Sequence, residues 1–86
     1  MSEDFDFRAD AEKFLRYYIR ASQSEPLTPH EAECLAIAEQ WLALYDTENR
    51  SSAAIGALVA RATATGDHGS VAYELALHIQ LWVKSL

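Results

Sequence analysis

The chain has 86 residues, half of them hydrophobic, with 13 acids against 7 bases and a net charge of −6. This length fits one domain spanning residues 1–86, and so apolar a composition is not that of a disordered chain. The acidic balance disfavours direct binding of DNA, RNA or an anionic membrane, whose phosphates are met by clustered cations.

Residues 4–21 predict an amphipathic helix. Phe7, Ala11, Phe14, Leu15, Tyr18 and Ile19 share one face at helical spacing. Acids crowd its first turns (Asp4, Asp6, Asp10, Glu12) and bases its later ones (Lys13, Arg16, Arg20), the order that complements the helix dipole. Asp4–Arg8 and Glu12–Arg16 stand at i,i+4, where opposite charges stabilise a helix by a few tenths of a kcal/mol. Ser22 to Leu27 is expected to be a loop, since Glu25 precedes Pro26 and a residue before proline is pushed out of the α region.

Residues 29–46 form the clearest helix. Thr28 can cap it, Pro29 suits the first helical position, and Glu31 completes a capping box with Thr28. Leu44, Ile37, Trp41, Cys34, Tyr45, Ala38, Leu42 and Leu35 fill a continuous half of its wheel. A stripe facing one neighbour needs only about 100° of arc, so this helix is expected at the centre of a bundle. A polar turn follows from Asp46 to Arg50.

Ser51 or Ser52 then caps a third helix over residues 52–65, with Ile55, Leu58, Val59 and Ala62 as its apolar face. Beside that face runs a row of small residues, Ser52, Gly56, Ala60 and Ala64, at spacings that let a second backbone approach closely. Gly66 is the expected left-handed stop, and Asp67 or Ser70 the cap of a fourth helix over residues 70–85. That helix carries two apolar stripes. Val71, Leu75, Ile79, Trp82, Val83 and Leu86 form a wide face, and Tyr73, Leu77 and Leu81 lie on the opposite side. Apolar residues on both sides imply burial on both sides, and a chain this short has few elements to cover the second.

Chemistry-bearing patterns are sparse. His30–Cys34 and Glu74–His78 each stand at i,i+4, and two such pairs on facing helices can supply four metal ligands. The His30-Glu31-Ala32-Glu33-Cys34 run nevertheless lacks the second histidine of HExxH, and no Glu-x-x-His pair of the di-iron type occurs. No Gly-rich phosphate loop, nucleophile elbow or paired-carboxylate signature appears. The expectation is therefore no metal, no cofactor and no enzyme, with Cys34 as a small core residue. Trp41 and Trp82 are assigned to the core.

Three surfaces remain as candidates. The Tyr73, Leu77 and Leu81 stripe, with Gly56 and Ala60 on the neighbouring helix, is the best interaction surface. The basic stripe of Lys13, Arg16 and Arg20 suits an acidic partner or a phosphate, although charges so placed also simply complement the helix dipole. Acids in patches (Glu3, Asp4, Asp6, Asp10; Glu33, Glu39; Asp46, Glu48) can mimic a phosphate backbone or serve as a soluble surface.

The sequence thus predicts an all-α fold of four mostly antiparallel helices with the second central. The expected function is a non-enzymatic, acidic protein-binding module, a regulator or adaptor acting as a homodimer, with a protein partner and no direct nucleic acid or membrane. The alternative is an inhibitor or decoy that blocks a basic nuclease or nucleic-acid-binding partner. A cytoplasmic location is expected, because residues 1–13 are acidic rather than signal-like and no long uncharged apolar run occurs.

Overall fold

The computed structural model describes residues 6–67 and 69–86, and it holds four helices: α1 (Phe7–Ser24), α2 (Pro29–Asp46), α3 (Ser52–Thr65) and α4 (Ser70–Lys84). Each boundary has a local cause. Asp6 lies outside the helical region, and its carboxylate accepts from the Ala9 N–H at 3.1 Å, so α1 starts at Phe7 rather than at residue 4. Glu3, Asp4 and the anticipated Asp4–Arg8 pair lie outside the described residues. Ser22 to Ser24, expected in the loop, extend the helix, and the Ser22 hydroxyl donates to the Ile19 carbonyl at 2.6 Å. The stop comes at Glu25, which Pro26 holds extended (φ −160°, ψ 161°).

The α2 start follows its signals fully. Thr28 Oγ1 accepts from the Glu31 N–H at 3.2 Å, and Glu31 Oε1 accepts from the Thr28 N–H at 2.9 Å. Its end is a Schellman turn: Glu48 is left-handed (φ 55°), Glu48 N–H reaches the Tyr45 carbonyl, and Asn49 N–H reaches the Leu44 carbonyl. Ser51 caps α3 through the Ala54 N–H. Gly66, by contrast, is not left-handed: its φ is −63°. It is buried beside α4, and a Cβ there would sit 3.5 Å from the Ala76 Cβ, an ordinary van der Waals contact. The left-handed residue is Gly69 (φ 137°), which precedes α4, and neither Asp67 nor Ser70 caps that helix, whose first turn has no side-chain cap.

The helices alternate in direction. Arg8 at the start of α1 meets Asp46 at the end of α2, and Asp10 near the start of α1 meets His78 in the second half of α4. The Trp41 and Tyr45 rings both meet Trp82, while Cys34 and Ala72 line one cleft at the other end, so α2 and α4 run the same way across the bundle diagonal. Both α2 and α4 touch all three other helices, and α1 does not touch α3. The central position is therefore shared by α2 and α4.

The core follows the predicted faces. Ala11, Phe14 and Tyr18 of α1, Cys34, Ile37, Ala38, Trp41 and Leu44 of α2, Leu58 and Ala62 of α3, and Leu75, Ile79 and Trp82 of α4 are all buried. The other members of the predicted faces pack against this core partly buried, except two that are exposed: Ile19 on α1, and Leu86 beyond the end of α4. No helix among the described residues is long and apolar enough to cross a membrane.

Candidate interaction surfaces

On α4, the residues opposite the core face solvent. Tyr73, Leu77 and Leu81, spaced four apart so that they stack along one side of the helix, are 59%, 40% and 37% exposed. The second apolar stripe, expected to be covered, is left exposed by the described residues. On the adjoining α3, Ser52, Gly56, Ala60 and Ala64 are exposed as well, and a Cβ added at Gly56 would meet nothing within 4 Å. The small-residue row therefore serves no close helix approach inside the chain.

Charge divides the molecule along the same line. Residues 1–50 hold 11 of the 13 acids and 5 of the 7 bases. Residues 51–86 hold two acids, Asp67 and Glu74, and two bases, Arg61 and Lys84. Among the described residues, nine acids and five bases lie on the α1–α2 side, which is net negative, and the α3–α4 side is balanced. Of those four charges, Arg61 faces α2, where its guanidinium donates to Glu33 Oε2 at 2.8 Å and to Gln40 Oε1 at 2.5 Å. The outward face of α3 thus carries no charge.

The basic stripe takes a definite form. Lys13, Arg16, Tyr17 and Arg20 line a shallow depression of about 290 Å³ on α1. Tyr17 was not singled out in the sequence, yet with Lys13, Arg16 and Arg20 it completes the i, i+3, i+4, i+7 pattern of one helix side. Its ring is 50% exposed and stands perpendicular to the buried Tyr18 ring at 5.0 Å between centroids. Arg16 has one long contact, 3.9 Å to Glu12, whose nearer partner is Arg8 at 2.7 Å. Lys13 and Arg20 make no ion pair among the described residues.

The residues weighed for metal or acid–base chemistry fall apart into two places. His30, Glu31, Cys34, Tyr17 and Tyr18 border a cleft of about 370 Å³ where the end of α1 meets the starts of α2 and α4. Cys34 and Tyr18 are buried there. Burial first, and contact with the Cys34 thiol second, push the Tyr18 hydroxyl above its usual value of 10. His78 lies along α4 from this cleft, its Nδ1 2.9 Å from Asp10 Oδ2 and its ring edge-on to Phe14 at 5.5 Å. Glu74 is exposed. The four i,i+4 residues do not converge, and among the described residues no group of three or more His, Cys, Asp or Glu is placed to hold a metal.

Trp41 and Trp82 are buried with their rings in contact, and Arg50 from the supposedly simple polar turn lies over Trp82, its guanidinium carbon 5.2 Å from the ring centroid. No protein-family model, curated protein or solved structure matches this chain.

Proposed function

We propose that this protein is a non-enzymatic protein-binding module, a regulator or adaptor, that acts as a homodimer through the outer face of α3 and α4. The observation that carries it is the exposed Tyr73–Leu77–Leu81 stripe, three large apolar residues on a helix whose other side already supplies the core. A second copy suits this face for two reasons. A chain of net charge −6 meets itself at least cost through the side whose charges balance. The face is also self-complementary: under two-fold symmetry the large residues of α4 in one copy lie against the small row of α3, Gly56 and Ala60, in the other, and the reverse contact is then made as well. Substituting Leu77→Glu or Leu81→Glu places a charge in that contact, and is expected to split the dimer while leaving helicity intact. Retention of the dimer in both variants counts against this face.

The charge division favours a second reading, an inhibitor or decoy whose acidic α1–α2 side blocks the basic site of a nuclease or nucleic-acid-binding partner. Asp6, Glu39, Asp46 and Glu48 are exposed on or beside those helices. Such a complex is expected to be tight and to weaken steeply with salt; an affinity unchanged from low to high salt argues against it.

A further inference from the structure

We infer that the α1 depression lined by Lys13, Arg16, Tyr17 and Arg20 is a docking site for a short acidic protein segment, separate from the α3–α4 face. The arginines elsewhere in the chain are engaged in holding the fold, and Lys84, which makes no ion pair among the described residues, stands alone at the end of α4. Arg8 clasps Glu12 and Asp46, Arg61 ties α3 to Glu33 and Gln40 of α2, and Arg50 stacks over Tyr45 and Trp82 while donating to the Leu44 carbonyl. The three cations of the depression hold nothing together beyond one 3.9 Å contact. They lie on one helix side around an exposed aromatic ring, on a molecule that is otherwise strongly acidic.

The chemistry of the occupant follows from the size and makeup of the depression. From Lys13 to Arg20 the helix rises only about 10 Å, room for two or three anionic groups. Tyr17 offers a flat amphipathic ring, fixed at right angles to Tyr18, on which an apolar side chain of the ligand can lie. Arg16 and Arg20 can each grip a carboxylate in bidentate fashion. A nucleic acid strand extends past so short a stripe and meets Asp6, Asp10 and Glu12 towards the start of the same helix, where its phosphates are repelled. A segment with a few carboxylates and an apolar residue between them ends before that repulsion begins.

The test titrates the full chain with a labelled peptide of repeated Glu-Glu-Leu triplets. The same peptide with Gln for Glu and a short oligothymidylate are run beside it, read by fluorescence anisotropy. The acidic peptide is expected to bind, and to bind several-fold more weakly between about 50 and about 200 mM salt. In Arg16→Glu/Arg20→Glu its affinity is expected to fall at least about fivefold, with the neutral pair Arg16→Gln/Arg20→Gln as a second variant. Lys84→Glu, at the end of α4, is expected to change nothing. The native mass is expected to be unaffected by the α1 variants, which separates this site from the dimer face. Equal binding of the Gln peptide, tighter binding of the oligothymidylate, no binding of the acidic peptide, or affinity undiminished in both α1 variants overturns the inference.

Discussion

The Trp41 and Trp82 rings meet with centroids 6.2 Å apart, tilted by 48°, on the diagonal where α2 and α4 cross the bundle. Both side chains are fully or almost fully buried, and the Trp41 indole N–H has no hydrogen-bond partner among the described residues. Trp82→Ala removes the ring from Trp41, Tyr45 and Arg50 together and is expected to cost about 3–5 kcal/mol. A chain of this size holds on the order of 10 kcal/mol or less in total, so that variant stands near the edge of folding. Trp41→Phe is expected to cost clearly less, because it also removes a buried donor whose desolvation costs about 1–3 kcal/mol. Urea unfolding followed by circular dichroism checks the order; equal losses, or a larger loss for Trp41→Phe, refute it.

Burial of the Tyr18 hydroxyl, and after it the contact with Cys34, sets an alkaline limit on the fold. The Tyr18 hydroxyl stays protonated in the folded chain above its usual value of 10, whereas the unfolded chain releases that proton near 10. The folded state therefore binds the proton more tightly, and the resulting stability is fully present below about pH 10 and is lost as pH rises beyond it. Of the four tyrosines, one is expected to form phenolate only together with loss of helicity. A Tyr18→Phe variant should lose this alkaline sensitivity. Phenolate absorbance and circular dichroism recorded through one pH titration test both statements.

Arg61 fastens α3 to α2 through Glu33 and Gln40. Its hydrogen bond and charge hold the Glu33 carboxyl below its ordinary 4.5. The sign is the reverse of the tyrosine case: this contribution is present above pH 4.5 and disappears as pH falls through the depressed value. Both side chains are more than a third exposed, 38% and 39%, so the pair is worth about 1 kcal/mol or less. Arg61→Met should lower stability at neutral pH by that amount and show a shallower loss between neutral pH and acid. Parallel acid denaturation curves for the two proteins refute the assignment.

Gly56 separates the fold from the assembly. Its Cβ position is open, and glycine inside a helix costs about 1 kcal/mol relative to alanine. Gly56→Ala is therefore expected to raise the stability of the helix itself. Ala60→Leu on the same row is expected to leave chain stability nearly unchanged but to weaken self-association, because it fills space that the proposed dimer gives to the second copy's α4 stripe. Unfolding midpoints and masses measured on the same samples distinguish the two effects. A dimer undisturbed by Ala60→Leu removes α3 from the interface.

Much of this arrangement is legible in the sequence, for physical reasons that differ from element to element. The start of α2 is specified by three side chains within four residues, and its apolar half-circle reports burial directly. The second apolar stripe of α4 shows in its spacing, but its exposure does not, because apolar residues on both sides of a helix imply burial on both sides. Signals that depend on contacts distant in sequence are illegible there. Asp10 and His78 stand 68 residues apart, and Gly66 keeps a right-handed backbone (φ −63°) where a glycine after a helix is usually read as left-handed. Arg50 looks like a turn residue until Trp82 is brought beneath it. At the α1 depression the three bases are visible in the sequence, but that Lys13 and Arg20 make no ion pair among the described residues, and Arg16 only one of 3.9 Å, is a property of the folded surface.

The central claim is that the neutral α3–α4 face joins two copies of this chain, and the most direct measurement of it is the mass of the purified protein by light scattering at tens of micromolar. The account predicts twice the 9.6 kDa chain mass, falling to the single-chain value in Leu77→Glu or Leu81→Glu with helicity retained. A native protein that elutes at 9.6 kDa across that concentration range contradicts it.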